Sequence, residues 1–210
     1  MPHIRGSVAA LAGLVLVAGA TGCTAHRSPA AAPPPTASTS GSPTPLPTHP
    51  PPSAPLRTSV THVAGSLDKP HRALLERHVG RTISAYVDAA FLEGGYPRSD
   101  FSSSFGAFTR GARADARHDQ DLLTNRPFGA STTSVRATRR TAYLSVLAPG
   151  GRAAGVTAAV DLDLLVDRGR GPGRHVHLAG RLLLTPLSNG RWSIFGYDLH
   201  RSDTPERSAP

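Results

Sequence analysis

Gly155-Val-Thr-Ala-Ala-Val160-Asp-Leu-Asp-Leu-Leu165-Val-Asp167 decides the fold. Val156, Ala158, Val160, Leu162, Leu164 and Val166 alternate with Thr157, Asp161, Asp163 and Asp167, so a strand here buries one face and wets the other. The same period continues on both sides. Val135 to Leu147 predicts a long preceding strand that stops at Pro149-Gly150-Gly151. After a turn at Gly169 to Gly173, Val176, Leu178, Leu182 and Leu184 form the apolar face of a third strand. Asn189-Gly190 is a hairpin signal, because both residue types tolerate the positive φ of a tight turn. Arg191 to His200, with Trp192, Ile194, Phe195 and Tyr197, supplies a fourth strand. The inward strand positions read as almost wholly aliphatic.

Upstream the period is helical. Leu75, Val79, Ile83, Tyr86, Val87, Ala90 and Phe91 recur at three- and four-residue spacing, which gives a helix one apolar face. Ser66 or Asp68 caps its start, Pro70 suits its first turn, and Gly94-Gly95 ends it. Phe101, Phe105 and Phe108 form a shorter face of the same kind after Pro97. A third helical stretch runs from about Gly111 to Leu123, apolar through Ala112, Ala116, Leu122 and Leu123. Helices followed by a four-stranded antiparallel meander predict an α+β domain with the helices packed on one face of a curved sheet. Polar-out alternation leaves the other face at least partly wet.

Composition sets the boundaries of that domain. Of 20 prolines, eleven fall between Pro29 and Pro55, and the first acidic residue is Asp68. Residues 23–57, rich in Pro, Ala, Ser and Thr, lack the apolar content to offset ordering entropy and read as a disordered linker. Polyproline geometry at about 3.1 Å per residue lets such a linker reach about 100 Å. The folded domain is expected over 58–205, with 206–210 as a tail. It is long enough for one core. Net charge is +9, from 22 Arg, a single Lys69 and 14 acids. The acids interleave with the bases after Asp68, and no basic run carries aromatics, so no nucleic-acid partner is assigned.

Met1 to Ala20 begins with His3 and Arg5 and continues through an apolar run from Val8 to Ala20, the layout of a secretory signal over residues 1–22. The run is shorter than the roughly 20 residues a spanning helix needs. Ala20-Thr21-Gly22-Cys23 resembles the bacterial lipobox, with Ala20 departing from the usual Leu or Val. That resemblance implies diacylglycerol on Cys23, cleavage before it, and a membrane-anchored domain facing the extracytoplasmic side. More than one acyl chain anchors durably where one does not, at about 0.8 kcal/mol per buried methylene. Cys23 is the chain's single cysteine, so the domain's core is held without disulfides.

The order of elements over about 67–200, with the ending Trp192-Ser-Ile-Phe-Gly-Tyr-Asp198, resembles the nuclear transport factor 2-like superfamily. The resemblance implies a curved sheet wrapping a long helix around a cone-shaped cavity. It carries no active-site residues to these positions, and its members include enzymes, binders and assembly modules. A binding or assembly role follows, with an apolar ligand in the cavity or an envelope protein on the sheet as the partner, and a homodimer as one form of the latter. The alternative is an isomerase- or dehydratase-like enzyme using the cavity. No cofactor is assigned.

The most suggestive polar set is Asp161-x-Asp163 opposite His175-x-His177. Alternation places all four on the outer sheet face as cross-strand neighbours. Two imidazoles and two carboxylates suit a divalent transition metal or an acid–base pair. They equally suit solvent-facing cross-strand pairs, and neither a metal nor a catalytic centre is assigned. His118, Asp119 and Asp121 read as a solvated helix end, and His71 and His78 as exposed positions on the first helix. Tyr86, Tyr96 and Tyr197 read as core tyrosines with satisfied hydroxyls. Gly169-Arg-Gly-Pro-Gly173 lacks the lysine and following helix of a phosphate loop.

Overall fold

The computed structural model describes residues 52–206. The signal-like run, Cys23, most of the Pro-rich segment and residues 207–210 lie outside the described residues. The fold is α+β, with one sheet of five strands in sequential order. These are β1 (Arg57–Gly65), β2 (Thr132–Ala148), β3 (Gly155–Arg168), β4 (Arg174–Pro186) and β5 (Trp192–Pro205). β2 to β5 form the expected antiparallel meander. β1 corrects the four-stranded expectation: the domain opens with a strand rather than a helix. It pairs parallel to β2, Arg57 opposite Thr141, which makes the sheet mixed.

Arg57-Thr-Ser-Val-Thr-His-Val63 is weakly apolar because it is an edge strand. Only Val60 and Val63 lean on the core and Thr58 bonds to the Glu76 carbonyl, while Ser59 and Thr61 face water, which suits an edge that must not recruit other strands. Two further bonds extend the pairing upstream: the Ala54 N–H donates to the Ala137 carbonyl, and the Ala137 N–H donates to Ser53 Oγ.

Helix α1 (Lys69–Val87) crosses the inner face and runs on through a π turn at Asp88–Leu92. Its cap is Asp68, whose carboxylate accepts from the His71 N–H and is held below the usual carboxylate range by that bond. Leu75, Val79, Ile83, Tyr86, Val87, Ala90 and Phe91 are all buried, as the spacing predicts. Phe101, Phe105 and Phe108 are buried too, but around a short 3₁₀ turn at Ser102–Phe105. The expected third helix is divided into α2 (Arg110–His118) and α3 (Gln120–Leu123), with α4 (Arg126–Gly129) leading into β2.

Bulges set which strand residues face the helices. Registers shift between Ala137 and Arg139 on β2, and between Leu183 and Leu184 opposite Phe195. Each extra residue moves the following side chains to the opposite face. The first shift turns Arg140 inward with Ala142 and Leu144. The second puts Phe195 outside and turns Tyr197, Leu199, Arg201 and Asp203 toward the helix side. The inner face is therefore less aliphatic than the alternation suggests.

Candidate functional site

The outer sheet face carries the polar set picked out from the sequence. Asp163 pairs directly with His177 across β3 and β4, and His177 Nδ1 lies 2.9 Å from Asp163 Oδ1 and 3.7 Å from Asp161 Oδ1. His175 reaches only Asp163, its Nε2 3.4 Å from Oδ1. One participant was not foreseen. Arg139 on β2 lies across both carboxylates, Nη2 at 2.9 Å from Asp161 and 2.8 Å from Asp163. The Asp163–His177 pairing is legible from alternation, whereas Arg139 reaches this face only through the β2 bulge.

Ligand atoms of Asp161, Asp163 and His177 lie within 4.8 Å of one another, so these three are the residues that could share a metal ion. His175 is outside that set. The Arg139 guanidinium already supplies the positive charge these carboxylates need, in a half-exposed setting where such pairs contribute about 0–1 kcal/mol. The cluster is an ion-pair network with a cation in place.

Elsewhere on this face large apolar side chains stand exposed among small and polar ones. Tyr143 and Leu147 on β2 and Phe195 on β5 are 52%, 55% and 50% exposed. Leu147 and Phe195 flank a shallow cleft of about 290 Å³ with His62, Ala64, Thr157 and Leu183. Among the described residues no helix crosses this face. The adjoining polar half carries Asp161, Asp163, His175 and His177.

The inner side is filled. Tyr86, Phe91, Phe105 and Phe108 pack edge to face, with centroids 5.1–6.4 Å apart, and Ile83, Leu123, Leu144, Leu162 and Leu178 close around them. The three tyrosine hydroxyls are satisfied: Tyr86 donates to the Leu123 carbonyl, Tyr96 to the Phe91 carbonyl and Tyr197 to Asp119. Burial pushes the Tyr86 phenol far above its ordinary value. The Tyr197 phenol is also raised, first by burial and then by its bond to Asp119. Arg201 donates to the Asp121 and Thr124 carbonyls beside the Phe128 ring. Asp119 and Asp121 thus tie the α2–α3 region to β5, and Asp121 also meets Arg126.

Arg140 is the buried charge of the interior, 6% exposed. Its Nη2 lies 2.9 Å from Asp88 Oδ1 and donates to Ser84 Oγ, while its Nε has no partner. Several clefts open along α1 at the periphery of the core, and two of them separate it from the 103–107 segment and from β1. The larger, about 560 Å³, lies between α1, the 103–107 segment and the β4–β5 turn, with His78, Arg81, Arg191 and Trp192 in its lining. The smaller, about 310 Å³, separates α1 from the start of β1. His71, by contrast, is exposed and bonded to Asp68. No family model matches this chain, and neither the curated proteins nor the solved structures give a match.

Proposed function

We propose that this protein is an extracytoplasmic lipoprotein, anchored through lipid on Cys23, that docks a protein partner of the envelope on the outer face of its sheet. In the same proposal the domain is a filled variant of the nuclear transport factor 2-like cone, with β1 added at its edge. The observation that carries docking is the uncovered part of that face where Leu147 and Phe195, both half exposed, flank one shallow cleft, with Tyr143 exposed four residues from Leu147 along β2 and polar groups beyond. An apolar centre with a polar rim is the anatomy of a protein interface, and aromatic and large aliphatic side chains supply most of the binding energy in such places. The packed interior favours a protein partner over an apolar ligand. It also disfavours cavity enzymes of the isomerase or dehydratase kind, since the buried ionisable groups are already engaged within the fold, Arg140 with Asp88 and Tyr86 with the Leu123 carbonyl.

Site-specific photo-crosslinking in the producing cell tests this. A crosslinker at position 143 or 195 is expected to trap one discrete adduct, which the same group at position 117 on α2 does not form. With the crosslinker at position 143, the Leu147→Asp, Phe195→Asp double variant is expected to lose the adduct while keeping its fold. An adduct of twice the chain's mass would make the partner a second copy. No discrete adduct from position 143 or 195, the same adduct from position 117, or an adduct that survives the double variant would overturn docking. Anchoring is tested separately: Cys23→Ala is expected to lose fatty-acyl label and to be released from the membrane fraction.

A further inference from the structure

The cleft between β1 and α1 is built for an anion. Its lining includes Pro55, Leu56 and Thr58 from the β1 side, Glu76, Arg77, Gly80 and Arg81 from α1, and Ser84 and Arg140 toward the floor. Gly80 is what lets the helix and strand come this close: a Cβ there would stand 3.2 Å from the Thr58 side chain. Arg77 and Arg81 are one helical turn apart, an arrangement of like charges that costs an isolated helix about 0.2–0.5 kcal/mol. Among the described residues neither has a carboxylate within ion-pair distance. Glu76, the one carboxylate in the lining, is held by the Val60 N–H, which donates to it at 2.7 Å. Beneath them Arg140 is more than nine-tenths buried with an unpartnered Nε, and an unsatisfied buried donor of this kind is uncommon in folded proteins.

We infer that this cleft is a binding site for a phosphate-type oxyanion, held at its mouth by Arg77 and Arg81 and met from the floor by Arg140. Guanidinium groups pair with phosphate oxygens through charge-assisted, often bidentate hydrogen bonds. An anion here offsets the repulsion between the two helix arginines and, once the Arg140 side chain turns its sealed Nε toward the cleft, supplies the acceptor that atom lacks. The volume, about 310 Å³, admits a phosphate with a short substituent and excludes a long acyl chain. Two sources share this chemistry: a free phosphate compound and the headgroup of an anionic phospholipid. The lipid source rests on the anchoring proposed above. It agrees with the position of the cleft, because Pro55 and Leu56, through which the N-terminal segment joins the domain, form part of its wall. The free-phosphate source does not depend on anchoring.

The test uses the full chain carrying Cys23→Ser, which separates binding at the cleft from any lipid attachment. Inorganic phosphate is titrated by NMR, and co-sedimentation is measured with phosphatidylglycerol vesicles and with phosphatidylcholine vesicles. Arg81→Glu is compared with Arg117→Glu, which makes the same charge change on α2. Saturable phosphate binding that Arg81→Glu weakens about tenfold or more, and Arg117→Glu leaves unchanged, supports the free-anion source. Binding to phosphatidylglycerol but not phosphatidylcholine vesicles, lost in Arg81→Glu alone, supports the headgroup. Arg140→Lys keeps the charge and the pairing with Asp88 but loses the Nε donor, and is expected to lower affinity severalfold with the fold intact by thermal unfolding. No binding in either format, or equal losses in Arg81→Glu and Arg117→Glu, would overturn the site.

Discussion

Arg140 and Asp88 illustrate how a single charged residue can be fixed by backbone geometry that side-chain patterning does not reveal. With its partner removed, the Arg140 guanidinium stays buried without a counter-charge. Asp88→Ala is therefore expected to cost about 2–3 kcal/mol in urea unfolding, below the full range for a sealed pair because Asp88 keeps 26% of its surface in water. Arg140→Met, which removes the charge and fills similar space, is expected to cost less than Asp88→Ala. Tyr86 sets an alkaline limit. Its phenol is neutral and buried in the folded state and titrates near 10 when exposed. The unfolded chain releases that proton first, so stability is fully present below about pH 10 and falls as the pH rises further. Tyr86→Phe is expected to flatten that decline in denaturation curves taken from pH 8 to 11. At neutral pH it costs about 1 kcal/mol, from the Leu123 carbonyl left without its donor. The seven apolar residues of α1 and its π turn, and the Asp163–His177 pair, were legible because both follow from unbroken periods. Arg139 and Arg140 were not, since a bulge at Thr138 leaves no mark in composition yet reverses the faces of everything after it.

At the scale of elements, the meander was readable from alternation and from its turn residues, and β1 was not. An edge strand that buries only Val60 and Val63 resembles a Ser/Thr-rich linker, and its partner is not its neighbour in sequence. The last five residues of β5 were missed for a related reason: Arg201, Ser202 and Asp203 extend the strand with polar side chains once the hydrophobic signal has stopped. Within β4, Gly180 is a position that only glycine fits. Its φ is +133°, and a Cβ would stand 2.2 Å from the Asp198 carbonyl oxygen on β5. Gly180→Ala is expected to cost about 3 kcal/mol through backbone strain and loss of that close approach. Thermal unfolding checks this, with Gly190→Ala as a comparison: that turn glycine also has positive φ, but nothing lies within 4 Å of its Cβ position, so its loss is expected to be smaller.

For the whole molecule, the two sides carry different chemistry. The helix side presents arginines at its clefts, and the far side of the sheet presents an apolar field bordered by an ion-pair network. Function on that far face is expected to separate from stability. Leu147→Asp with Phe195→Asp is expected to change the unfolding free energy by no more than about 0.5 kcal/mol, since both side chains already stand half in water, while abolishing the crosslinked adduct. The parallel pairing of β1 with β2 has a further consequence, in time rather than space. Synthesis delivers the chain from its N-terminus at about 5–20 residues per second, and Thr141 follows Arg57 by 84 positions. The first strand to be made thus waits roughly 4–17 s for its template. During that interval a hydroxyl-rich sequence such as Arg57-Thr-Ser-Val-Thr-His-Val63 stays dissolved where a run of isoleucine and valine would seek out other nascent chains, so its polar composition answers to the order of assembly as much as to the finished edge.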